Sequence, residues 1–303
     1  MLQFIELTKR NVKIYFRDLG AIFFSLLTML IVILLMVFFL GDMSIDNVTE
    51  LLSYYPGRDV AADEKNAELL VFAWTGAGIL SINAVTVTLA AYSGMMKDKV
   101  SGRLNAIYTS SASRFIITSS YVASAWIASV LVCILTLVIL EVIGVSKGME
   151  WFSVSEHAGL LGMIMANSFT YAAFMYLLSH IAKSEGAWSG IGTVIGTLVG
   201  FFGGIYMPIG GLSDVVASMM KCTPVIYGSS MFRKVMTETI VNNTLVGLPR
   251  EVVEEYRLAM GIDLTVGGRE VSLWTELWIL LGCGTIFLLL GALALWKSRK
   301  TDR

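Results

Sequence analysis

No G-x-x-x-x-G-K-[ST] run occurs in the sequence, so the chain has no Gly-rich loop with which to cradle ATP phosphates itself. His-Glu-x-x-His and Cys-x-x-Cys are missing too, which removes the zinc-protease and dithiol chemistries that depend on those spacings. Cysteine is scarce: Cys133 and Cys283 lie in apolar stretches and Cys222 stands alone, so neither a disulfide framework nor a metal-ligand set follows. His157 and His180 are too far apart for a local metal motif. Carboxylates are nearly absent from the long apolar segments. Glu141 falls near the far end of one and is expected to be solvated at headgroup level, and His180 near the opposite face is expected to anchor an interface. Ion-coupled carriers usually keep ionisable groups at mid-membrane. A transporter without them needs an outside source of work.

What the sequence has in abundance is apolar surface. Hydrophobic residues make up 56% of 303 and charged residues 15%, with a mean hydropathy of +0.73, more than a soluble domain of this length needs. The expected fold is an all-α integral membrane protein, a single transmembrane domain over 1–303. Six spans are read at about 21–40, 69–93, 115–145, 157–182, 186–207 and 273–296, each long enough to cross a hydrocarbon core of ~30 Å. Residues 1–19 read as an amphipathic interfacial helix, with Glu6, Arg10, Lys13 and Arg17 on one face and Leu2, Ile5, Val12 and Phe16 on another. Residues 41–68 read as an acidic loop, 94–114 as a basic one and 146–156 as a short connection.

The segment 208–275 divides in two. Its first part holds two short Met-rich stretches broken at Pro224, read as re-entrant helices that dip into the outer leaflet. Its second part is polar: a short helix from Pro249 to Met260 stopped by Gly261, then a tight hairpin about Gly267-Gly268. Lys9, Arg10, Lys13, Arg17, Lys97, Lys99, Arg103, Arg114, Lys183 and the four basic residues of the C-terminus collect on one side. The opposing short loops offer Arg58, Lys65 and Lys147. The asymmetry puts both termini in the cytoplasm and 208–275 outside.

Three groups of residues stand out. Gly192, Gly196, Gly200 and Gly204 recur every fourth position, forming a bare stripe that either another helix of this chain or an identical or related subunit could fill. Asn83, Thr86 and Asn167 put neutral polarity at mid-membrane, either to hydrogen-bond neighbouring helices or to line a substrate path. In the basic loop a helical turn after Gly102 would present Leu104, Ile107 and Tyr108 to a partner.

The chain resembles the type-2 ABC exporter permeases over nearly its whole length. Arg17-Asp18 closes the N-terminal helix. Lys97-Asp98-Lys99-Val100-Ser101-Gly102-Arg103-Leu104 follows the second span, and Met207-Pro208, Leu212 and Pro224, with Arg233 beyond, follow the Gly-rich fifth. It departs at Thr109-Ser110-Ser111-Ala112, where a Pro often stands, and in a larger 240–272 insertion. The resemblance implies a permease subunit, not an enzyme, paired with a second permease through its first and fifth spans. Separate ATPase subunits, carrying ATP and Mg while this chain holds no cofactor, would dock on Lys97, Lys99, Gly102, Arg103, Leu104, Ile107, Tyr108 and Arg17. The expected setting is the plasma membrane and its lipids, with no nucleic acid. The expected cargo is amphipathic or apolar, with polysaccharide export or an ion-coupled carrier as the rivals.

Overall fold

The computed structural model describes residues 1–35, 41–109 and 111–301. Its elements are α1 (Leu2–Arg17), α2 (Leu19–Leu35), α3 (Gly41–Ser53), α4 (Val60–Val100), α5 (Arg103–Tyr108), α6 (Arg114–Lys147), α7 (Val154–Ser179), α8 (Glu185–Phe202), α9 (Asp214–Lys221), α10 (Pro224–Met236), α11 (Glu238–Thr244), α12 (Arg250–Ala259), a hairpin β1 (Thr265–Val266) and β2 (Arg269–Glu270), and α13 (Leu273–Thr301).

The axis is α4. Asp59 caps it by accepting from the Ala61 and Ala62 amides, and its 41 residues extend about 60 Å at ~1.5 Å per residue, well beyond the membrane thickness. α2, α3, α6, α7, α8 and α10 all pack on it. Several polar groups in and around its buried middle bond across helices. Asn83 Nδ2 donates to Thr136 Oγ1 (2.8 Å), Asn167 Nδ2 donates to the Ser81 carbonyl (3.2 Å), and Ser129 and Ser168 bond each other (2.9 Å). α6 starts on a Ser113 cap and α7 on a Ser153–Glu156 capping box.

Among the described residues four helices are long and apolar enough to cross a membrane: α4, α6, α7 and 273–294 of α13. The expected first span has 17 described residues in α2, and its remainder, 36–40, lies outside the described residues. The expected fifth span is shorter than 186–207, because α8 stops at Phe202. Gly204 takes φ +63° there, a left-handed conformation that ends a helix cheaply only at glycine. Gly204 therefore leaves the four-residue stripe.

Two further expectations are corrected. The 41–68 stretch is not a loop: α3 covers Gly41–Ser53 and α4 begins at Val60. α3 buries Val48 and Leu52 against Ala67, Leu70, Trp74, Val241, Leu245 and Ile262, while Asp46 and Glu50 point outward. Glu141 is not solvated: it is 7% exposed, lies 3.0 Å from His157 Nε2 and accepts from the Phe152 amide.

The two short helices about Pro224 differ from each other. α9 leaves Val215, Val216 and Met219 exposed, whereas α10 is enclosed by α4, α7 and α13 and buries nearly every side chain. The helix at 250–259 and the turn at Gly267-Gly268 stand where the sequence placed them.

Candidate functional site

The basic segment expected to meet a partner folds into a junction of four helices. α4 runs on through Lys97, Asp98 and Lys99, each of which ties a different element to its end. Asp98 Oδ2 accepts from Arg10 of α1 (3.0 Å) and from the Tyr121 hydroxyl of α6 (2.8 Å), and its carboxylate is buried. Burial alone would lower the Arg10 pKa; bonding to Asp98 and Tyr121 outweighs it and raises the value, so the guanidinium stays charged. Lys97 pairs with Asp18 at the α1–α2 corner (3.0 Å). Lys99 Nζ donates to the Ala182 carbonyl (2.8 Å) and the Ser179 carbonyl (3.4 Å), the unpaired C-terminal end of α7.

α1 completes the junction with a face the helical wheel did not single out. Thr8, Asn11 and Tyr15 turn inward, and Asn11 Nδ2 donates to Ser120 Oγ (3.4 Å). Leu2, Ile5 and Phe16 stay exposed, as does Arg17.

Gly102, at φ +75°, turns the chain sharply from α4 into α5. Leu104 is 6% exposed and packs into the core of the bundle, so it is not presented to a partner as expected. Six residues make under two turns, and the apolar Leu104 anchors them. Ile107 and Tyr108 are half-buried against the same core, with the Arg114 guanidinium 5.0 Å above the Tyr108 ring. The surface that faces away is Ser101, Gly102, Arg103, Asn105, Ala106 and Thr109.

The glycine stripe is largely filled from within. A Cβ on Gly192 would meet Leu89 at 3.2 Å, and one on Gly200 would meet the Tyr206 ring at 2.2 Å. Gly204 faces Arg233, Met220 and Ile226; Gly196 alone of the four has nothing within 4 Å. Beside Gly196, α8 exposes Val194, Leu198 and Phe201. Asn83, Thr86 and Asn167 are buried, and Thr86 Oγ1 donates to the Asn83 carbonyl (3.3 Å); they lie between helices and line none of the principal cavities.

Sequence reasoning missed the cluster at the other end of α4. Arg233 of α10 is 0% exposed, and among the described residues no carboxylate pairs with it. Its Nη2 donates to the carbonyls of Gly203 (3.1 Å) and Gly204 (2.9 Å) at the end of α8, and its guanidinium lies 4.2 Å from the Trp74 ring. Trp74 Nε1 in turn donates to the Met260 carbonyl (2.7 Å). Next to it Lys234 pairs with the buried Glu276 (3.0 Å). Two basic residues inside an otherwise apolar, Met-rich run were the available signal.

One Gly-x-Ser-x-Gly match exists, Gly144 to Gly148. It forms the last turn of α6 instead of a strand-to-helix elbow, and Ser146 Oγ donates to the Ile143 carbonyl (2.7 Å), so it holds no poised nucleophile.

The family description "ABC-2 family transporter protein" matches residues 58–293, from the turn before α4 well into α13. The chain belongs to the ABC-2 transporter family. No curated protein matches it. The ABC-2 assignment supports a multi-pass permease subunit, a non-enzymatic membrane component of the kind that works with an ABC ATPase. In this ABC-2 chain α1, α2 and α3 precede the matched region, yet α1 is bonded directly into its α4–α6 junction.

Proposed function

We propose that this chain is the gate of an ATP-driven exporter, with the α4–α5 junction as the place where an ATPase subunit delivers work. The observation that carries the proposal is the convergence of Arg10, Asp98, Tyr121, Lys97 and Lys99 on one short stretch of α4. A push on α5 passes through Leu104 and Gly102 to α4, and from there to α1, α6 and the end of α7. Lys97 and Lys99 act as internal ties, Arg103 meets the ATPase, and Ile107 and Tyr108 form the half-buried rim of the docking surface. Arg17 flanks it on α1.

In this proposal α2 and α8 join the four long helices to make six spans. Both termini and α5 are cytoplasmic, α9 and α10 are re-entrant from the outside, and α1 lies in the inner headgroup layer of the plasma membrane. A second copy or a related permease packs on α8 at Gly196, Val194 and Phe201. Asn83, Thr86 and Asn167 serve helix packing, not passage. The cargo is an amphipathic or apolar compound moved outward, consistent with the exposed Val215, Val216 and Met219 on α9.

The test is co-purification and labelling. Arg103→Glu together with Ala106→Asp should release the partner ATPase from a permease that still folds; unchanged retention rejects α5 as the docking point. A cysteine at position 255 on α12 should react only from outside intact cells, and labelling from the cytoplasm rejects the orientation.

A further inference from the structure

Between α6, α7 and α13 the structure leaves a groove of about 880 Å³ that none of the residues discussed so far occupies. Phe115 and Trp126 of α6, Met165 of α7, and Leu281 and Leu288 of α13 line it, and Phe4 of α1 stands at one end. Two close helix contacts keep it open. α13 is pressed onto α7 where Gly284 and Gly291 face the Phe169 and Tyr176 rings, too near for any added Cβ (2.9 and 2.5 Å). α6 is held to α7 separately, by Trp126 Nε1 donating to the Met165 carbonyl (2.9 Å) and by the Ser129–Ser168 bond. α6 and α13 are thereby fixed to α7 by different contacts, and the space between them stays unfilled. At Gly162, which lines it, nothing lies within 4 Å of an added Cβ.

The groove has a direction. It extends about 17 Å along α6 from Phe115 to Trp126 and about 22 Å along α13 from Leu277 to Ala292, at ~1.5 Å per residue, enough to cover the ~15 Å depth of one leaflet. Its Phe4–Phe115 end runs into the exposed apolar face of α1, Leu2 and Ile5. That end is also basic. Arg114 immediately precedes Phe115, and on α1 Lys9 and Lys13 stay exposed against the single acid Glu6, Arg10 being held by Asp98. α13 runs parallel to α7 and continues beyond the groove-lining Ala292. An apolar slot at least one leaflet deep, opening beside the Arg114 guanidinium, matches an anionic lipid in both parts.

We propose that the groove holds an acyl chain of an anionic phospholipid drawn from the bilayer, its head group beside Arg114. The inference rests on the chain crossing a membrane and not on the exporter proposal, so either can fail alone. The probe is wild-type protein equilibrated with vesicles of equal parts phosphatidylglycerol and phosphatidylcholine with the same chains, then read by native mass spectrometry. One phosphatidylglycerol should stay with each chain, favoured over phosphatidylcholine by about fivefold for the one adjoining guanidinium. Gly162→Phe should place its ring in the open space and abolish that retention without lowering the melting temperature in lipid-free detergent. Ala123→Phe should do the same from the α6 wall. Equal retention of the two lipids overturns the proposal, and so does undiminished retention in the folded variants. A non-lipid hydrophobe found in place of phospholipid also overturns it, in favour of a cargo site. The head-group comparison uses wild-type protein and decides the matter even if the variants fail to fold.

Discussion

The two ends of α4 hold their neighbours by different means. At the α1 end each cation meets an acid or a helix terminus, and Arg10, Lys97 and Asp18 remain partly open to solvent. Toward the other end, about Trp74, the Arg233 guanidinium is sealed away, with carbonyl oxygens and an indole face in place of an acid. Half-exposed ion pairs exchange with water at modest cost and let elements shift against one another. A buried cation cannot be solvated if its partners move away, so that end is held rigidly. On the proposed function, one end of the helix is the part that is pushed and the other stays put while it is.

The comparison predicts unequal damage. Arg233→Ala should be the most harmful, because it leaves the Gly203, Gly204 and Trp74 contacts empty inside the bundle; a loss of ~3 kcal/mol or more is expected, seen as a large drop in melting temperature. Wild-type melting would mean that this end is not held by the cation. Asp98→Ala should cost about 1.5–3 kcal/mol and also loosen α1, exposing Asn11 and Tyr15 to faster hydrogen exchange at their amides. Protection of α1 equal to wild type would remove the junction from the account.

The remaining predictions sharpen the contrast. Gly200→Leu collides with Tyr206 of its own chain and should destabilise even a single subunit. A Cβ at Gly196 meets nothing within 4 Å in its own chain, so Gly196→Leu should leave the subunit's melting nearly unchanged while dissociating a pair. If the two behave alike, α8 is not the face between subunits. Smallest of all in stability, within about 0.5 kcal/mol, should be Arg103→Glu on the exposed side of α5. Its effect should appear only in the coupling of ATP hydrolysis to transport.

The sequence made the long apolar helices legible, because twenty apolar residues in a row have few other fates. α12, the hairpin and the break at Pro224 were legible too, since capping acids, paired glycines and proline act locally. α3 was hidden by its charge: acidic residues on the outer face concealed the spacing of Val48 and Leu52. The site was harder for a different reason. Arg10 and Asp98 are 88 residues apart, and nothing near either announces the other. Leu104, Ile107 and Tyr108 read as one face offered to a partner, but whether Leu104 faced a partner or its own chain depended on where α6 and α7 stand. The glycine spacing was equally plain, and only the position of Tyr206 reveals that the chain fills most of it.

The central claim is that this polypeptide supplies the passage and a separate ATPase supplies the work. Proteoliposomes containing the chain alone, the ATPase alone or both should be loaded with a fluorescent amphipathic dye and followed after ATP addition. Uphill dye movement is expected only when both are present, with proton and sodium gradients collapsed. Sustained concentrative transport by the chain alone would contradict the account.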